Sequence, residues 1–174
     1  MKAGKMVLNL VKIGSGVVAG ACLGAYVTGK SNETRRELTE ASRDKFKSYY
    51  DITREWMICE MNGHNIADWI SDNGINKMAV YGAGTMGDLF YETMKNSEEK
   101  IAFFVEETGA PLSEFKGNTA LETLEYGVDW EGLDMVIVTA VTYFKDIKAK
   151  LEELGVSCPI VSLEEIVYSL GKEK

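Results

Sequence analysis

A glycine-rich turn between a short apolar run and an amphipathic segment constrains the fold of this chain more than any other feature. The run covers Met78 to Tyr81, and Gly82, Gly84 and Gly87 follow it in a G-x-G-x-x-G pattern. This pattern is typical of a strand that passes through a tight turn into a helix. The helix is predicted by apolar residues at helical spacing, which are Met86, Leu89, Phe90 and Met94.

Each glycine of the turn has a separate expected role. Gly82 allows the tight turn, Gly84 lets a phosphate approach the backbone, and Gly87 lets the helix pack closely on the strand. Valine at Gly84 is expected to block that approach and to disfavour a positive φ. The free N–H groups at the helix start would face the anion. The pattern predicts a nucleotide-type ligand, and the alternative is a turn that serves close packing alone.

An acidic residue follows the second apolar run, Ile101 to Val105. Glu106 lies nineteen residues after Gly87. Dinucleotide-binding folds place a ribose-binding acid about 20 residues beyond the glycine pattern. An acid at a strand end is also often merely solvated, so Glu106 is a candidate ribose ligand with a simple alternative.

The rest of the chain alternates between strand and helix patterns, which predicts an α/β fold with a doubly wound parallel sheet of about five strands. The apolar run from Asp134 to Ala140 is typical of a central strand, and Pro159 to Val161 predicts the last strand. Thr108 to Asn118 is expected to be irregular. Thr119 to Glu125 is compatible with a shortened strand or a helical turn.

Three further helices are predicted around these strands. Ile66 to Ser71 forms a short helix that ends at Asn73 and Gly74. Ser162 and Glu165 have the spacing of a capping box and mark the start of the last helix. The helix after the central strand carries an apolar stripe, which consists of Phe144, Ile147, Leu151 and Leu154.

In doubly wound sheets, ligands bind beyond the carboxyl ends of the strands at the switch point. We therefore expect the glycine turn, Glu106 and residues 139–142 to surround one crevice that holds NAD or a UDP-type nucleotide. The candidate cofactor-binding residues are Gly82, Ala83, Gly84, Thr85, Met86, Gly87, Glu106, Thr139 and Ala140.

Composition narrows the classes of function. A net charge of -8 makes a nucleic-acid partner unexpected. The three cysteines are far apart and His64 is the single histidine, so we expect neither a disulfide framework nor a metal site. No catalytic acid–base set can be assigned, which favours a binding module over an enzyme.

The first 30 residues have the pattern of a membrane anchor. Residues 6–27 carry one charge, Lys12, and their length is close to the ~20 residues that cross a bilayer. Gly16, Gly20 and Gly24 repeat every four residues, which favours close helix–helix packing in lipid. An interfacial segment and a cleaved lipoprotein signal are the alternatives. Basic residues after the span predict a single pass with the globular domain in the cytoplasm.

A helix from about Glu33 to Met61 is expected to follow the anchor, with a charged first half. The predicted organisation is an anchor at 1–30, a helical stalk at 31–62 and a nucleotide-binding domain at 63–174, with the glycine stripe and the stalk forming a homo-oligomer. The second half of the stalk has a stripe expected to dock on the domain or on a second copy, namely Phe46, Tyr49, Tyr50, Thr53, Trp56 and Met57.

Two resemblances agree with this organisation. Residues 13–45 resemble the YtxH-like small membrane proteins of bacteria, through Gly14 to Ala25 and Gly29 to Leu38. Residues from about 56 to 170 resemble the small Rossmann-like domains of bacterial surface-polysaccharide synthesis, which include domains of sugar acetyltransferases and of sugar dehydratases. The matching segments are Met78 to Gly87, Phe103 to Glu106, Asp134 to Ala140 and Ile160 to Ile166.

These resemblances imply a nucleotide- or nucleotide-sugar-binding module, tethered to the bacterial inner (cytoplasmic) membrane and accessory to polysaccharide synthesis. The second strand of those relatives usually ends in Asp, where this chain has Glu106. Neither an acetyltransferase hexapeptide repeat nor a dehydratase domain with its Tyr-x-x-x-Lys pair follows here, and Tyr143 is followed four residues later by Ile147. A small NAD-dependent oxidoreductase or sugar-modifying enzyme, and a ligand-free oligomerising scaffold, are the alternative functions.

Overall fold

The computed structural model describes residues 39–40 and 42–172, with the backbone alone at 98 and 99. The chain divides into two units, residues 1–46 and 47–174, and the fold described below is that of the second. The predicted membrane segment and its glycine stripe lie outside the described residues. Within the described residues, no helix is both long enough and apolar enough to cross a bilayer.

The described chain forms five helices and six strands, joined by turns and short 3-10 segments. In chain order they are α1 (42–61), α2 (Ile66–Asp72), β1 (Met78–Tyr81), α3 (Thr85–Thr93), β2 (Ile101–Glu106), β3 (Leu112–Lys116), β4 (Thr119–Thr123), β5 (Met135–Val138), α4 (Phe144–Glu153), β6 (Ile160–Ser162) and α5 (Leu163–Leu170).

The six strands make one sheet in the order β3-β4-β2-β1-β5-β6. All neighbouring strands are parallel except β3 and β4, which pair antiparallel at one edge. Without β3, the parallel strands lie in the order third, second, first, fourth, fifth. This is the order of the Rossmann fold, with its switch point between β1 and β5. The predicted α/β class is confirmed, and the predicted number of strands was one too low.

The additional strand lies in the segment that was expected to be irregular. Leu112–Lys116 and Thr119–Thr123 form a hairpin, and Gly117 takes a φ of +57° in the turn between them. The first three residues of β3 are exposed. An exposed edge strand carries polar side chains and therefore lacks the apolar run that reveals a buried strand. For residues 119–125 the sequence allowed a shortened strand or a helical turn. Both occur, since β4 is followed by a 3-10 turn at Leu124–Tyr126.

The two strands beside the switch point are buried at every position. Side chains from α1, α2, α3 and α5 cover one face of the sheet, whereas α4 and residues 124–133 cover the other. Strands covered on both faces have apolar residues in continuous runs, which explains why β1 and β5 were recognisable from sequence.

Helix α1 contributes part of the predicted stripe to the core. Ile52, Trp56 and Cys59 are buried. Of the predicted stripe, Trp56 is buried and Tyr49 packs against the core, whereas Phe46, Tyr50 and Met57 are exposed. The spacing of four and then three residues between the buried positions places them on one helical face. The predicted stripe thus included exposed side chains on one flank and left out the buried residues Ile52 and Cys59.

The other helical predictions hold with two exceptions. Leu89 on α3 is 39% exposed, and Leu154 is 51% exposed because it lies just past the end of α4. The capping box of α5 is confirmed: the Ser162 hydroxyl accepts from the Glu164 amide, and the Glu165 carboxylate accepts from the Ser162 amide.

Asp134 ties the start of β5 to the start of β1. Its carboxylate accepts hydrogen bonds from the amides of Asn76 (2.8 Å) and Lys77 (2.9 Å), and its own amide donates to the Lys77 carbonyl at 2.8 Å. These backbone hydrogen bonds lower the pKa of Asp134. A lowered folded-state pKa means that this contribution to stability is present at neutral pH and is lost as pH falls through the folded pKa.

Candidate functional site

Gly82 makes the turn at the carboxyl end of β1. Its φ is +103°, and a Cβ there would lie 2.5 Å from Thr139 Oγ1. Its amide donates to the Val105 carbonyl at 2.9 Å, which continues the pairing of β1 with β2. Both the backbone conformation and the lack of space require glycine, as the sequence predicted.

Gly87 allows α3 to lie against the turn. A Cβ at this position would be 2.1 Å from the Gly82 carbonyl oxygen and 3.6 Å from the Phe104 ring. Backbone atoms of the turn fill the space that a side chain needs. The predicted role of Gly87 in close packing is confirmed.

Gly84 has neither of these constraints. Its φ of -78° and ψ of -162° are extended values that any residue adopts, so the positive φ expected at Gly84 was wrong. A Cβ at this position would have open space for 4 Å around it, and the residue is exposed. Packing in the described structure therefore does not explain the glycine at 84.

The amino end of α3 is open. Gly84 is the N-cap, and it has no side chain that could hydrogen-bond the first-turn amides. The first four N–H groups of a helix have no intrahelical acceptor, and they carry partial positive charge from the helix dipole. Thr85, the first helical residue, is exposed. The arrangement can accept an anion at backbone amides.

Two of the predicted ligand residues have structural partners. Met86 is 3% exposed and packs in the core, where the Thr53 hydroxyl lies 3.9 Å from its sulfur. Thr139 is buried, and its hydroxyl lies 2.7 Å from the Gly82 carbonyl oxygen and 3.1 Å from that of Tyr81. The Thr139 side chain thus links the end of β5 to the glycine turn.

Glu106 lies beside the glycine turn, where the spacing placed it. Its Oε1 accepts a hydrogen bond of 2.6 Å from the Ala83 amide. The side chain is half-buried at the carboxyl end of β2. One carboxylate oxygen is thus held by the turn.

A cavity of about 380 Å³ opens next to Glu106 at the carboxyl ends of β1, β2 and β5. This is the switch point of the sheet, and small-molecule sites commonly have volumes of roughly 300–1,000 Å³. Its lining residues are Tyr81, Glu106, Glu107, Ala140, Tyr143, Asp146, Ile147 and Lys150. The structure thus brings Glu106 and Ala140 together at one cavity, with the glycine turn joined to it through Ala83.

The cavity wall is mostly acidic. It holds three carboxylates and one ammonium group, and the Lys150 ammonium pairs with the Glu107 carboxylate. Burial, followed by the charges of Glu107 and Glu106, raises the pKa of Tyr81 to about 12. The Tyr81 hydroxyl is therefore neutral and able to donate at physiological pH.

Sequence reasoning missed the wall supplied by the start of α4. Four residues of this wall are spaced three, one and three positions apart and so lie on one helical face: Tyr143, Asp146, Ile147 and Lys150. The sequence showed this spacing directly after a predicted central strand. Ile147 was assigned to the apolar stripe of the helix, whereas Asp146 and Lys150 were given no role.

Among the residues that the structure describes, no group of three His, Cys, Asp or Glu side chains is placed to hold a metal ion. The single histidine, His64, lies between α1 and α2, and its amide donates to the Cys59 carbonyl at 3.0 Å.

Comparisons with known proteins yield one structural likeness. No family model matches the sequence, and no curated protein matches it. The chain is similar to a crystal structure of aspartate semialdehyde dehydrogenase II from Vibrio cholerae, with 18% identity and a TM-score of 0.36. The likeness covers 49% of this chain and 28% of that enzyme. The assignment of a Rossmann-like α/β domain therefore rests on the strand order and on the position of the cavity.

Proposed function

We propose that this domain binds a nucleotide, with its phosphates at the amino end of α3, a ribose at Glu106 and its base in the adjoining cavity. The observation that carries the proposal is the position of Glu106. Its carboxylate is bonded to the glycine turn at 2.6 Å and also lines the cavity. One acidic residue thus connects an anion-binding helix end to a pocket of ligand size.

The three glycines support a ligand in addition to packing. Steric contacts account for Gly82 and Gly87, but no contact accounts for Gly84. An open backbone at the helix start is what close approach of a phosphate needs. The ligand classes proposed are NAD and UDP-type nucleotides, including nucleotide sugars, and the role proposed is that of a binding module that assists cell-surface polysaccharide synthesis.

Valine at Gly84 is expected to abolish nucleotide binding and to leave the domain folded. Valine adopts the extended backbone found at this position, and its branched side chain would occupy the path of a phosphate. Isothermal titration with NAD and UDP measures the loss, and thermal unfolding confirms the fold. Ser157→Val, at an exposed site just before β6, is the matched control. Unchanged affinity in a folded Gly84→Val variant would exclude a phosphate at this turn.

Glu106 is expected to select NAD over NADP. Its carboxylate would accept hydrogen bonds from ribose hydroxyls and repel a 2′-phosphate. Thermal unfolding with each cofactor measures the preference, since a ligand at a hundred times its dissociation constant stabilises by ~2.7 kcal/mol. Glu106→Gln should reduce the difference between the two cofactors. Tighter binding of NADP by the unchanged protein would remove Glu106 from the ribose site.

We further propose that residues 6–27 anchor the protein in the bacterial inner membrane, and that Gly16, Gly20 and Gly24 pair two copies. The support is the uncharged run and its glycine spacing. Alkaline carbonate extraction should leave the full chain in the membrane pellet. Gly20→Ile should weaken self-association in bilayers without releasing the protein. A chain that washes off membranes would contradict the anchor.

A further inference from the structure

The cavity beside Glu106 offers acceptors in excess of donors. Ionised carboxylates accept hydrogen bonds and cannot donate them. Three of them line the cavity, namely Glu106, Glu107 and Asp146. Its single ammonium group, on Lys150, already pairs with Glu107. A ligand group that fits this wall must donate hydrogen bonds.

Asp146 is the carboxylate of the cavity with the most unused hydrogen-bond acceptor sites. It lies in the first turn of α4 and is exposed at the cavity rim. Among the described residues it has neither an ion-pair nor a hydrogen-bond partner. Glu106, in contrast, holds the Ala83 amide. Asp146 is thus the acceptor in the cavity that a ligand meets without displacing a protein group.

Tyr81 supplies an independent observation that points to a ligand. It is 4% exposed and lines the same cavity. Its hydroxyl has no hydrogen-bond partner among the described residues. The Tyr81 oxygen is not among the fully buried atoms without a partner in the described residues, so it is accessible from the cavity and can donate to a ligand acceptor there. A tyrosine here, where phenylalanine would fill the same volume, indicates a group to which the hydroxyl donates.

The nucleobases differ in how they meet such a wall. Adenine, guanine and cytosine carry an exocyclic amine that donates to a carboxylate, beside ring nitrogens. Uracil and thymine have no amine, and two carbonyl oxygens flank their single ring N–H group. Those oxygens would face carboxylate oxygens across the cavity, where neither side has a proton to donate and the like partial charges repel.

We propose that this cavity selects nucleotides whose base carries an exocyclic amine over uridine and thymidine nucleotides, with Asp146 and Glu107 accepting from the amine and Tyr81 donating to a ring nitrogen. The proposal rests on the proposed function and chooses between its two ligand classes in favour of the NAD type. It names the base class and the residues that distinguish it, which the glycine pattern alone cannot do.

Titration calorimetry of the 174-residue chain with ADP, CDP and UDP tests the selection, because the three share a diphosphate and a ribose. ADP and CDP should bind at least about 10-fold more tightly than UDP, the effect of one hydrogen bond to a charged group. Inorganic pyrophosphate is the probe of the glycine turn alone and should bind more weakly than ADP.

Asp146→Asn tests the residue that carries the selection. An amide at 146 gains donors that suit the uracil carbonyl oxygens, so the affinity ratio of ADP to UDP should fall about 10-fold. The ratio cancels any general effect of charge on the diphosphate. Glu152→Gln removes the same charge from an exposed position on α4 outside the cavity wall and should leave the ratio unchanged.

Tyr81→Phe separates a ligand role from a structural one. The variant should unfold at the same temperature as the unchanged protein or higher, and its affinity for ADP should fall several-fold. A lower unfolding temperature with unchanged ADP affinity would assign the hydroxyl to the protein's own stability and overturn its part in selection.

The remaining outcomes distinguish the two proposals. UDP binding as tightly as ADP, or an unchanged ratio in Asp146→Asn, would overturn base selection and leave nucleotide binding intact. ADP binding no more tightly than pyrophosphate would also overturn it. If neither nucleotides nor pyrophosphate bind, nucleotide binding itself fails and base selection fails with it.

Discussion

Replacing Gly87 with alanine should destabilise the domain by about 3 kcal/mol, the upper end of the usual cost of overpacking. The added Cβ would lie 2.1 Å from the Gly82 carbonyl oxygen, a distance that requires atoms to move. The turn cannot move freely, because the Gly82 amide is bonded to Val105 and its carbonyl oxygen to the Thr139 hydroxyl. The start of α3 must therefore shift away from the sheet.

Urea denaturation of Gly87→Ala beside Gly84→Ala measures this effect. The two substitutions add the same methyl group three residues apart, and at Gly84 nothing lies within 4 Å of it. Alanine at an N-cap held by glycine should cost about 1 kcal/mol or less. Equal losses in the two variants would show that the turn yields to a Cβ, and the packing role of Gly87 would have to be withdrawn.

Truncating Phe104 to alanine should cost about 3–5 kcal/mol, the range for large aromatic residues in a core. Phe104 is fully buried on β2. Its ring meets those of Tyr91 and Phe115 edge-on, with centroids 6.2 Å and 5.7 Å away, and the Lys116 ammonium lies 5.9 Å from its centroid. Removing the ring leaves a cavity between α3 and the edge hairpin, and both lose their contact with β2 at this point.

Phe103→Ala is the matched control, because the two phenylalanines are adjacent on β2 and point to opposite faces. Phe103 is half-buried and packs beside Trp130, at a centroid distance of 6.1 Å. Its truncation should cost clearly less than that of Phe104, by denaturation under the same conditions. A loss at Phe103 as large as that at Phe104 would contradict the assignment of the main core to the α3 face.

Local sterics made the centre of the fold predictable. The turn at Gly82 depends on its own positive φ and the packing at Gly87 on the turn five residues earlier, and β1 and β5 are apolar because both faces are covered. The edge strand β3 escaped prediction because its exposed side has no apolar requirement. On α1, Trp56 was part of the predicted stripe, but Ile52 and Cys59 were missed because tertiary packing, and not aromatic content, decides which face is buried.

The candidate site was also predictable from the sequence only in part. Spacing along the chain placed Glu106 at the turn, because the length from turn to strand end is nearly fixed in a strand–helix–strand unit. The opposite wall could not be found by that means. The doubly wound topology placed residues 139–142 at the crevice, and Ala140 lines it, but Asp146 and Lys150 on the following helix were not assigned to the site.

The Thr139 hydroxyl couples the glycine turn to the wall of the cavity. It holds the carbonyl oxygens at the end of β1, while the next residue, Ala140, already belongs to the cavity wall. Under the proposed function, this one side chain would fix the position of the glycine turn relative to the start of α4. Changes at residues that share such a partner do not act independently in free energy. The proposed phosphate and base sites would thus be held at a fixed spacing, and a change at either one would alter binding at the other.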